Sequence, residues 1–511
     1  MLSLELVNSI FEYIKNCLRN SLKNKDIDRS LSSIDCFANV AQFVNSFLRD
    51  DYIEECLSDI SQIYVNPIVI EGKKKRVVFY DQVGTTICLG LQYIRGLYEN
   101  GYKIQYIFEH PVRGITPLLL GELQKMNVDI LLLERHGNKK SLETIQSIMN
   151  CIENFSPEKI IIHAPCDGAL ACILLYAIKN IDRYRIVPGD HHFYIGYNCI
   201  DYFFEFRDWG IELALEHRKR NKEETLKLPF YPIVDIVDHF KGFPDVNSGC
   251  NIRFLLAGAA YKFNGSDFIF ELSDWILSNY SNALIYYVGH DFERIHSFVS
   301  EKKCHDRFIL LGYRDDFTSC VKNIDVLINS YPIGGGIVCQ TAAFFRKPIV
   351  SYRPIPSESN SIREILGVSC DFGQPITMYT KSDIEIYIDK LITDDSFRVS
   401  EGIRLNSYLQ TKDNFDKELG KLLTSNIDNK SVNKVNDKSL NTAYYLNLHS
   451  VYKPLIIVPL VRFYGISILF RFYRLIMPLN KSVLCYVSRA FLSIYFMDNV
   501  RKIRSKCGWL C

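Results

Sequence analysis

Two series of strand-length apolar runs, each interleaved with helical segments, limit the possible folds of this chain more than any other feature. The first series consists of VVFYD at 77–81, IQYIF at 104–108, VDILLL at 128–133 and KIIIHA at 159–164. The second consists of IRFLLAG at 252–258, ALIYYVG at 283–289, RFILLG at 307–312, VLINS at 326–330 and PIVSY at 348–352. Strands that alternate with helices predict parallel sheets covered on both faces. The sequence therefore predicts two doubly wound α/β domains that face each other across a cleft.

The breaks in this pattern predict five regions. Apolar residues at helical spacing in the first 70 positions, such as Leu4, Val7 and Ile10, indicate a helical cap. Three prolines between 228 and 250 separate the two α/β series, and TSNIDNKSVNKVNDKSLNT is typical of a flexible linker. The predicted regions are a cap at 1–72, α/β domains at 73–240 and 241–423, a linker at 424–442 and a C-terminal tail at 443–511.

Composition excludes several classes of protein. A hydrophobic content of 48% and a net charge of +2 are not those of a disordered chain. The 16 cysteines include no CxxC pair, which argues against a zinc site or a disulfide framework. The first 18 residues lack the basic and continuously apolar regions of a secretory signal, so we expect a cytoplasmic protein.

The C-terminal region concentrates positive charge. Residues 451–511 carry ten basic side chains against the single acidic residue Asp498, a net charge of +9 in a chain whose total is +2. The same region is rich in aliphatic and aromatic residues, but no run of about 20 apolar residues is uninterrupted. Two amphipathic helices at about 454–475 and 482–503 would suit the surface of an anionic membrane. The alternative is that they pack on the protein itself or on a partner; nucleic acid is not expected as a partner.

Three features of the second domain point to one binding site. Lys262 follows the first strand of that series, and Arg314 follows the third. Gly334, Gly335 and Gly336 lie between the fourth strand and a helix, where bare backbone N–H groups and the helix N-terminus favour phosphate. Because the carboxyl ends of parallel strands meet at one edge, two cations and a glycine turn are predicted to converge on a diphosphate.

The segments AYKFNG, GYRDDFTSCVKNIDVLINSYPIGGGIVCQTAAFFRKPIVSY and SESNSIREILG, with LITDDSFRVSEGIRLN after them, resemble the catalytic region of the O-linked N-acetylglucosamine transferase family. The resemblance covers roughly 75–425 and is strongest after 252. It implies the GT-B fold, a UDP-sugar donor and inversion at the transferred sugar. It also implies that Lys262 contacts the donor diphosphate, that Arg314 stabilises the departing UDP, and that Gly334, Gly335 and Gly336 hold the phosphates.

The sequence departs from the family pattern at the ribose position. The family has hydroxyl residues and an acidic residue after the glycine turn, whereas this chain has Ile337 and Val338, with Gln340 or Thr341 in the acidic position. No tetratricopeptide array is present to select protein acceptors. A glycan or lipid-linked glycan is therefore a more plausible acceptor than a protein.

The first domain is expected to supply the acceptor site and a catalytic base. Asp81 ends the first strand and begins the loop DQVGTT, and His163 ends the strand KIIIHA. Asp190, His191 and His192 follow a later strand in VPGDHHF. Imidazole and partly desolvated carboxylate groups can both act as bases near neutral pH. The preferred candidates are Asp190, His191 and His192, and Asp81 is the second choice.

The predicted function is transfer of a sugar from a nucleotide-sugar to an acceptor hydroxyl, and UDP is the expected nucleotide. The enzyme would be an inverting GT-B glycosyltransferase of cell-surface polysaccharide or lipid-linked glycan synthesis. No metal ion and no cofactor beyond the donor co-substrate is predicted, because lysine, arginine and a helix N-terminus can neutralise the diphosphate. The basic tail at 451–511 would place the enzyme on the inner face of the cell membrane. Two alternatives remain: a non-catalytic GT-B scaffold subunit and a nucleotide-sugar 2-epimerase.

Overall fold

The computed structural model describes residues 3–44, 46–84, 89–109, 115–133, 141–235, 239–244, 252–263, 266–290, 292–301, 305–354, 362–363, 365–367, 376–424 and 456–475. The predicted linker at 424–442, except for Thr424, and the predicted second tail helix at 482–503 lie outside these residues. The strands are β1 (Ile68–Val69), β2 (Lys73–Asp81), β3 (Lys103–Glu109), β4 (Asp129–Leu133), β5 (Pro157–His163), β6 (Ile178–Lys179), β7 (Asp182–Ile186), β8 (Tyr202–Glu205), β9 (Thr225–Lys227), β10 (Ile252–Ala257), β11 (Ala283–Val288), β12 (Phe308–Leu310), β13 (Val326–Ile328) and β14 (Ile349–Val350).

The α-helices precede, alternate with and follow these strands. They are α1 (Leu4–Lys23), α2 (Ile27–Ala41), α3 (Asp51–Tyr64), α4 (Gly90–Glu99), α5 (Pro117–Lys125), α6 (Ser141–Phe155), α7 (Ala169–Ala177), α8 (Asp208–His217), α9 (Phe268–Asn279), α10 (Glu293–Glu301), α11 (Phe317–Lys322), α12 (Gly336–Phe344), α13 (Lys381–Thr393), α14 (Asp395–Ser407), α15 (Lys412–Thr424), α16 (456–464) and α17 (Ser467–Arg471). Single 3-10 turns occur at Lys222–Glu224, Ala260–Lys262, His305–Arg307 and Tyr473–Leu475.

The first domain is built on a parallel sheet of seven strands in the order β4-β3-β2-β5-β7-β8-β9. Its central strands are buried on both faces because alternate side chains enter two different apolar cores. Val78 and Tyr80 of β2 contact the core formed with α1, α2, α6 and α7. Val77 and Phe79 contact the opposite core, which includes α4 and α5. The strand order reverses between β2 and β5, so the carboxyl ends of these two strands border a crevice.

The second domain repeats this plan with a parallel sheet of five strands in the order β12-β11-β10-β13-β14. Phe254 and Leu256 of β10 pack on one face with α9 and α13. Leu255 and Ala257 pack on the other face with residues of α12. The order reverses between β10 and β13, which opens a second crevice at the carboxyl edge.

The last helix of the predicted second domain, α15, returns to the first domain and packs on α4. Phe415, Leu419 and Leu423 enter the core that α4 shares, and the rings of Tyr93 and Phe415 lie 5.2 Å apart. A Cβ atom at Gly96 would lie 2.8 Å from a Leu419 methyl group, so the two helices approach closely there. The chain therefore crosses between the domains twice.

Residues 456–475 form an outer layer on the helical face of the first domain. Helices α16 and α17 are separated at Gly465, and their buried side chains join the core of α1 and α2. Tyr464 and Phe472 both contact Tyr13, with ring centroids 5.4 and 5.6 Å away. The first predicted tail helix thus packs on the protein along one side. No helix among the described residues is both long and apolar enough to cross a membrane.

Candidate functional site

Lys262 and the glycine turn meet at the crevice of the second domain. Lys262 ends the 3-10 turn that follows β10, and its ammonium Nζ lies 3.4 Å from the carbonyl oxygen of Gly334. The backbone N–H of Gly335 donates to Asn329 Oδ1 over 2.9 Å, which holds the turn after β13 in place. A Cβ atom at Gly335 would lie 3.4 Å from Lys262 Nζ, so glycine keeps the ammonium accessible to a ligand. The structure brings these predicted residues together.

The Lys262 ammonium has little compensation for its burial. Burial lowers the pKa of Lys262, and the nearby Cys339 thiol acts in the opposite direction. Within the described residues Lys262 forms no ion pair with a carboxylate. A cation beside the N-terminus of α12, which begins at Gly336, creates a positive crevice that suits an anion.

Arg314 lies in a different set of contacts. Its guanidinium forms two 2.5 Å hydrogen bonds to the carboxylate of Asp316 and two 3.0 Å bonds to the carbonyl oxygen of Gly242. The guanidinium beside it lowers the pKa of Asp316 to about 2. Gly242 belongs to the connection between the domains, so these bonds attach that connection to the second domain. The structure thus places the Arg314 guanidinium against Asp316 and Gly242. Lys262, in contrast, contacts the glycine turn, so the two predicted cations have different partners.

The residues after the glycine turn contact the first domain and their own helix. Gln340 Nε2 donates to the carbonyl oxygens of Phe230, 3.0 Å away, and Ile365, 2.8 Å away. Its Oε1 atom is buried and, among the described residues, accepts no hydrogen bond. The Thr341 hydroxyl donates to the carbonyl oxygen of Ile337 within α12. Ile337 packs against the core of the first domain. Of the predicted ribose residues, Gln340 thus has a buried side-chain oxygen, Oε1, that accepts no hydrogen bond from the described residues.

Asp81 and His163 lie side by side at the crevice of the first domain. They are register partners at the ends of β2 and β5, and His163 Nδ1 is 3.1 Å from Asp81 Oδ1. The other carboxylate oxygen accepts from the Tyr106 hydroxyl and from the backbone N–H of Gly84. Burial by itself would raise the pKa of Asp81, but His163, the Tyr106 hydroxyl and the backbone N–H of Val83 lower it below its usual value. The His163 side chain is only 2% exposed.

Asp190 is the centre of a buried ionic cluster beyond β7. Its carboxylate accepts hydrogen bonds from the Arg207 guanidinium, and His191 Nδ1 lies 3.2 Å from its Oδ1. Arg218 Nη2 donates to the carbonyl oxygens of Asp190 and His192. Burial opposes ionisation of Asp190, but Arg207 and His191 hold its pKa well below the usual range.

The two adjacent histidines have different environments. Burial lowers the pKa of His192 to about 3, so this ring is neutral at physiological pH. The His191 side chain is 27% exposed, and its ring lies 4.2 Å from that of His192. Of the preferred candidates, His191 alone combines solvent access with a neighbouring carboxylate.

The rest of this cluster was not among the site residues predicted from the sequence. Glu205 ends β8, is fully buried, and has its pKa raised to about 8 by burial. Its Oε1 atom lies 3.8 Å from Arg218 Nη1. The signal that could have identified these residues is the run of charge at the end of an apolar strand, FFEFRDW. Asn329, which holds the glycine turn, was likewise not identified.

Comparison with known proteins shows the fold. No family model and no curated protein matches the sequence. Among solved structures, HepE from Anabaena in complex with UDP and glucose has a TM-score of 0.50 at 11% identity and covers 68% of this chain and 99% of its own. The chain has the GT-B fold. This confirms the predicted fold class of two facing doubly wound domains.

Two further solved structures are similar at lower scores. A glycosyltransferase from Rickettsia africae has a TM-score of 0.48 at 14% identity, covering 75% of this chain and all of its own. An O-GlcNAc transferase from Thermobaculum terrenum has a TM-score of 0.42 at 14% identity, covering 89% of this chain and 82% of its own. Membership of the O-linked N-acetylglucosamine transferase family stays a prediction.

Proposed function

We propose that this protein is a glycosyltransferase that uses a nucleotide-sugar, with UDP as the nucleotide. The observation that carries the proposal is the contact between Lys262 and the Gly334–Gly335 turn at the strand-order reversal of the second sheet. A partly buried ammonium that pairs with no carboxylate among the described residues, and that faces a glycine turn and a helix N-terminus, suits a diphosphate. The UDP and UDP-glucose that the HepE structures contain support the choice of donor.

We propose His191 as the base and Asp190 as the residue that orients it. Because His191 Nδ1 faces the Asp190 carboxylate, the neutral ring carries its lone pair on Nε2. Asp190 stays ionised beside Arg207 and would stabilise the imidazolium that forms. The Asp81 and His163 pair has similar geometry, but a base must reach its substrate, and His163 is 2% exposed against 27% for His191.

In the proposed reaction Nε2 of His191 removes the proton of an acceptor hydroxyl. The oxygen forms a bond to the anomeric carbon of the sugar while the bond from that carbon to the diphosphate breaks. The electron pair leaves on UDP, where Lys262 and the N-terminus of α12 stabilise the negative charge. This direct displacement inverts the anomeric centre and uses no metal ion.

We further propose a glycan or lipid-linked glycan acceptor at the cytoplasmic face of a membrane. The net charge of +9 in 451–511 supports this choice. An anionic surface would concentrate the enzyme where such acceptors are located.

Two experiments test the enzymatic proposal. Thermal shift across a panel of UDP-, GDP- and other nucleotide-sugars should single out UDP compounds, and no shift with any nucleotide would favour a scaffold role. UDP release that depends on added acceptor should accompany a glycosylated product. A changed donor sugar without acceptor would instead identify a 2-epimerase.

The base is tested with His191→Ala and the matched variant His163→Gln. We expect His191→Ala to retain UDP binding, to lose about 10²- to 10⁴-fold in kcat, and to regain part of it with added imidazole. His163→Gln should affect the rate far less. A normal rate in His191→Ala, or rescue confined to a variant at His163, would reject the assignment.

A further inference from the structure

An apolar strip is exposed on the outer side of residues 456–475. Ile466, Phe470 and Tyr473 are 39%, 80% and 56% exposed. Their spacing of four and three residues places them on one side of α17 and the turn after it. A group of large apolar side chains exposed together often marks an interaction site.

The strip is held firmly by the opposite side of the same segment. Ile468, Leu469 and Phe472 are buried in the core formed with α1 and α2. The Tyr464 hydroxyl also donates to Ser33 Oγ of α2, 3.3 Å away. The exposed side chains therefore project from a packed layer of the first domain.

Positive charge borders the strip. Arg462 precedes the strip and Arg471 lies between Phe470 and Tyr473; both are exposed, and the Arg471 guanidinium lies 4.7 Å from the centre of the Tyr13 ring. The following residues, 476–511, add six basic side chains and one acidic one, a net charge of +5. Residues 476–511 and the arginines beside the strip are both positively charged. An anionic partner therefore complements this surface better than residues 476–511 do.

We propose that the strip formed by Ile466, Phe470 and Tyr473 enters the interfacial region of an anionic lipid bilayer, with Arg462 and Arg471 bound to lipid phosphates. Aromatic rings with an adjacent cation are the side chains that suit this interface. The strip lies on the first domain, so binding would bring the proposed acceptor domain to the membrane. Membrane binding does not depend on the proposed sugar transfer and is measured separately from it.

Point substitution is the appropriate perturbation. Removing the tail would uncover the apolar surface of α1 and α2, because Ile456 and Leu460 are fully buried against them. The test variant is Phe470→Glu with Tyr473→Glu in the full chain. The matched control, Ile386→Glu with Val399→Glu, adds the same charge at side chains of the second domain that are 56% and 57% exposed.

The assay is co-sedimentation with vesicles of phosphatidylcholine, with and without phosphatidylglycerol. We expect the unmodified chain to bind the anionic vesicles, the test variant to bind about tenfold less, and the control variant to bind normally. Substituting Arg462 and Arg471 with Gln should remove part of the preference for phosphatidylglycerol, about fivefold for each charge.

Three results would overturn the proposal. The first is equal binding by the test and control variants, or no binding of the unmodified chain to anionic vesicles. The second is a dimer, detected by light scattering, that the test variant abolishes, which would assign the strip to a second copy of the chain. The third is a melting temperature that falls only in the test variant, which would show that residues 476–511 cover the strip.

Discussion

Replacing Lys262 with Met should weaken donor binding and stabilise the free protein. The Lys262 ammonium lies 3.4 Å from the Gly334 carbonyl oxygen, and burial lowers its pKa. It has no carboxylate partner within the described residues. A charged group that is partly desolvated and uncompensated destabilises the folded state, and a bound diphosphate would supply the missing charge. The two effects have opposite signs, which makes the prediction specific.

The magnitudes follow from the contact. A charge-assisted interaction with phosphate contributes about 1.5–3 kcal/mol, so the Kd for UDP should rise about 10- to 100-fold. Removing a partly buried ammonium that no described carboxylate neutralises should increase the free energy of unfolding by about 1 kcal/mol, which raises the melting temperature by about 2–4 °C. Since the folded-state pKa of Lys262 lies below 10.5, its charge destabilises the protein at neutral pH. The stability difference between variant and unmodified protein should shrink as pH rises toward 10.5.

The assay is thermal unfolding with and without UDP, supported by calorimetric titration. Lys347→Met is a matched control, because burial also lowers the pKa of Lys347 in the same domain but this residue does not follow β10. The control should keep the full UDP-induced shift. A Lys262→Met protein that melts lower than the unmodified protein and binds UDP normally would refute the reasoning.

Three further predictions concern the surroundings of the site. Arg314→Met should lower stability by about 1–3 kcal/mol in urea denaturation, because it leaves Asp316 buried without its partner, and should change the Kd for UDP less than about threefold; a tenfold loss of affinity would place Arg314 on the donor. Gly335→Ala should weaken UDP binding about tenfold at nearly constant melting temperature, because the methyl group lies 3.4 Å from Lys262 Nζ, and unchanged affinity would contradict this. Burial raises the pKa of Glu205 from 4.5 to about 8, so the folded protein holds a proton that the unfolded chain releases. The free energy of unfolding should therefore fall by up to about 5 kcal/mol as pH rises from about 4.5 to 8. Glu205→Gln should remove this loss, and parallel pH profiles of the variant and the unmodified protein would contradict the assignment.

Periodicity was enough to predict the two sheets. An apolar run of strand length indicates a strand of a parallel sheet, because a strand buried on both faces needs apolar side chains at nearly every position. Carboxyl ends of parallel strands share one edge, so Lys262 and the glycine turn could be placed together without knowing any distance. The strands Ala283–Val288 and Val326–Ile328 fall within the predicted runs.

Side-chain partners could not be predicted in this way. Arg314 follows a strand of the second sheet as expected, but its direction depends on Asp316 and on a carbonyl oxygen at Gly242, 72 residues earlier. The cluster around Asp190 likewise joins Arg207 and Arg218, whose positions depend on the packing of β8 and α8. A long charged side chain can reach many partners, and only the folded backbone selects one.

The tail illustrates the same division. Its charge and its apolar residues are plain in the sequence, and they indicated either a membrane surface or packing on the protein. Which side chains face inward depends on how α16 and α17 fit against α1 and α2, which are more than 400 residues away in the chain. Local sequence determined which elements form and where charge accumulates, whereas long-range packing decided that Ile468 is buried and Phe470 is exposed, because burial is a property of the assembled surface.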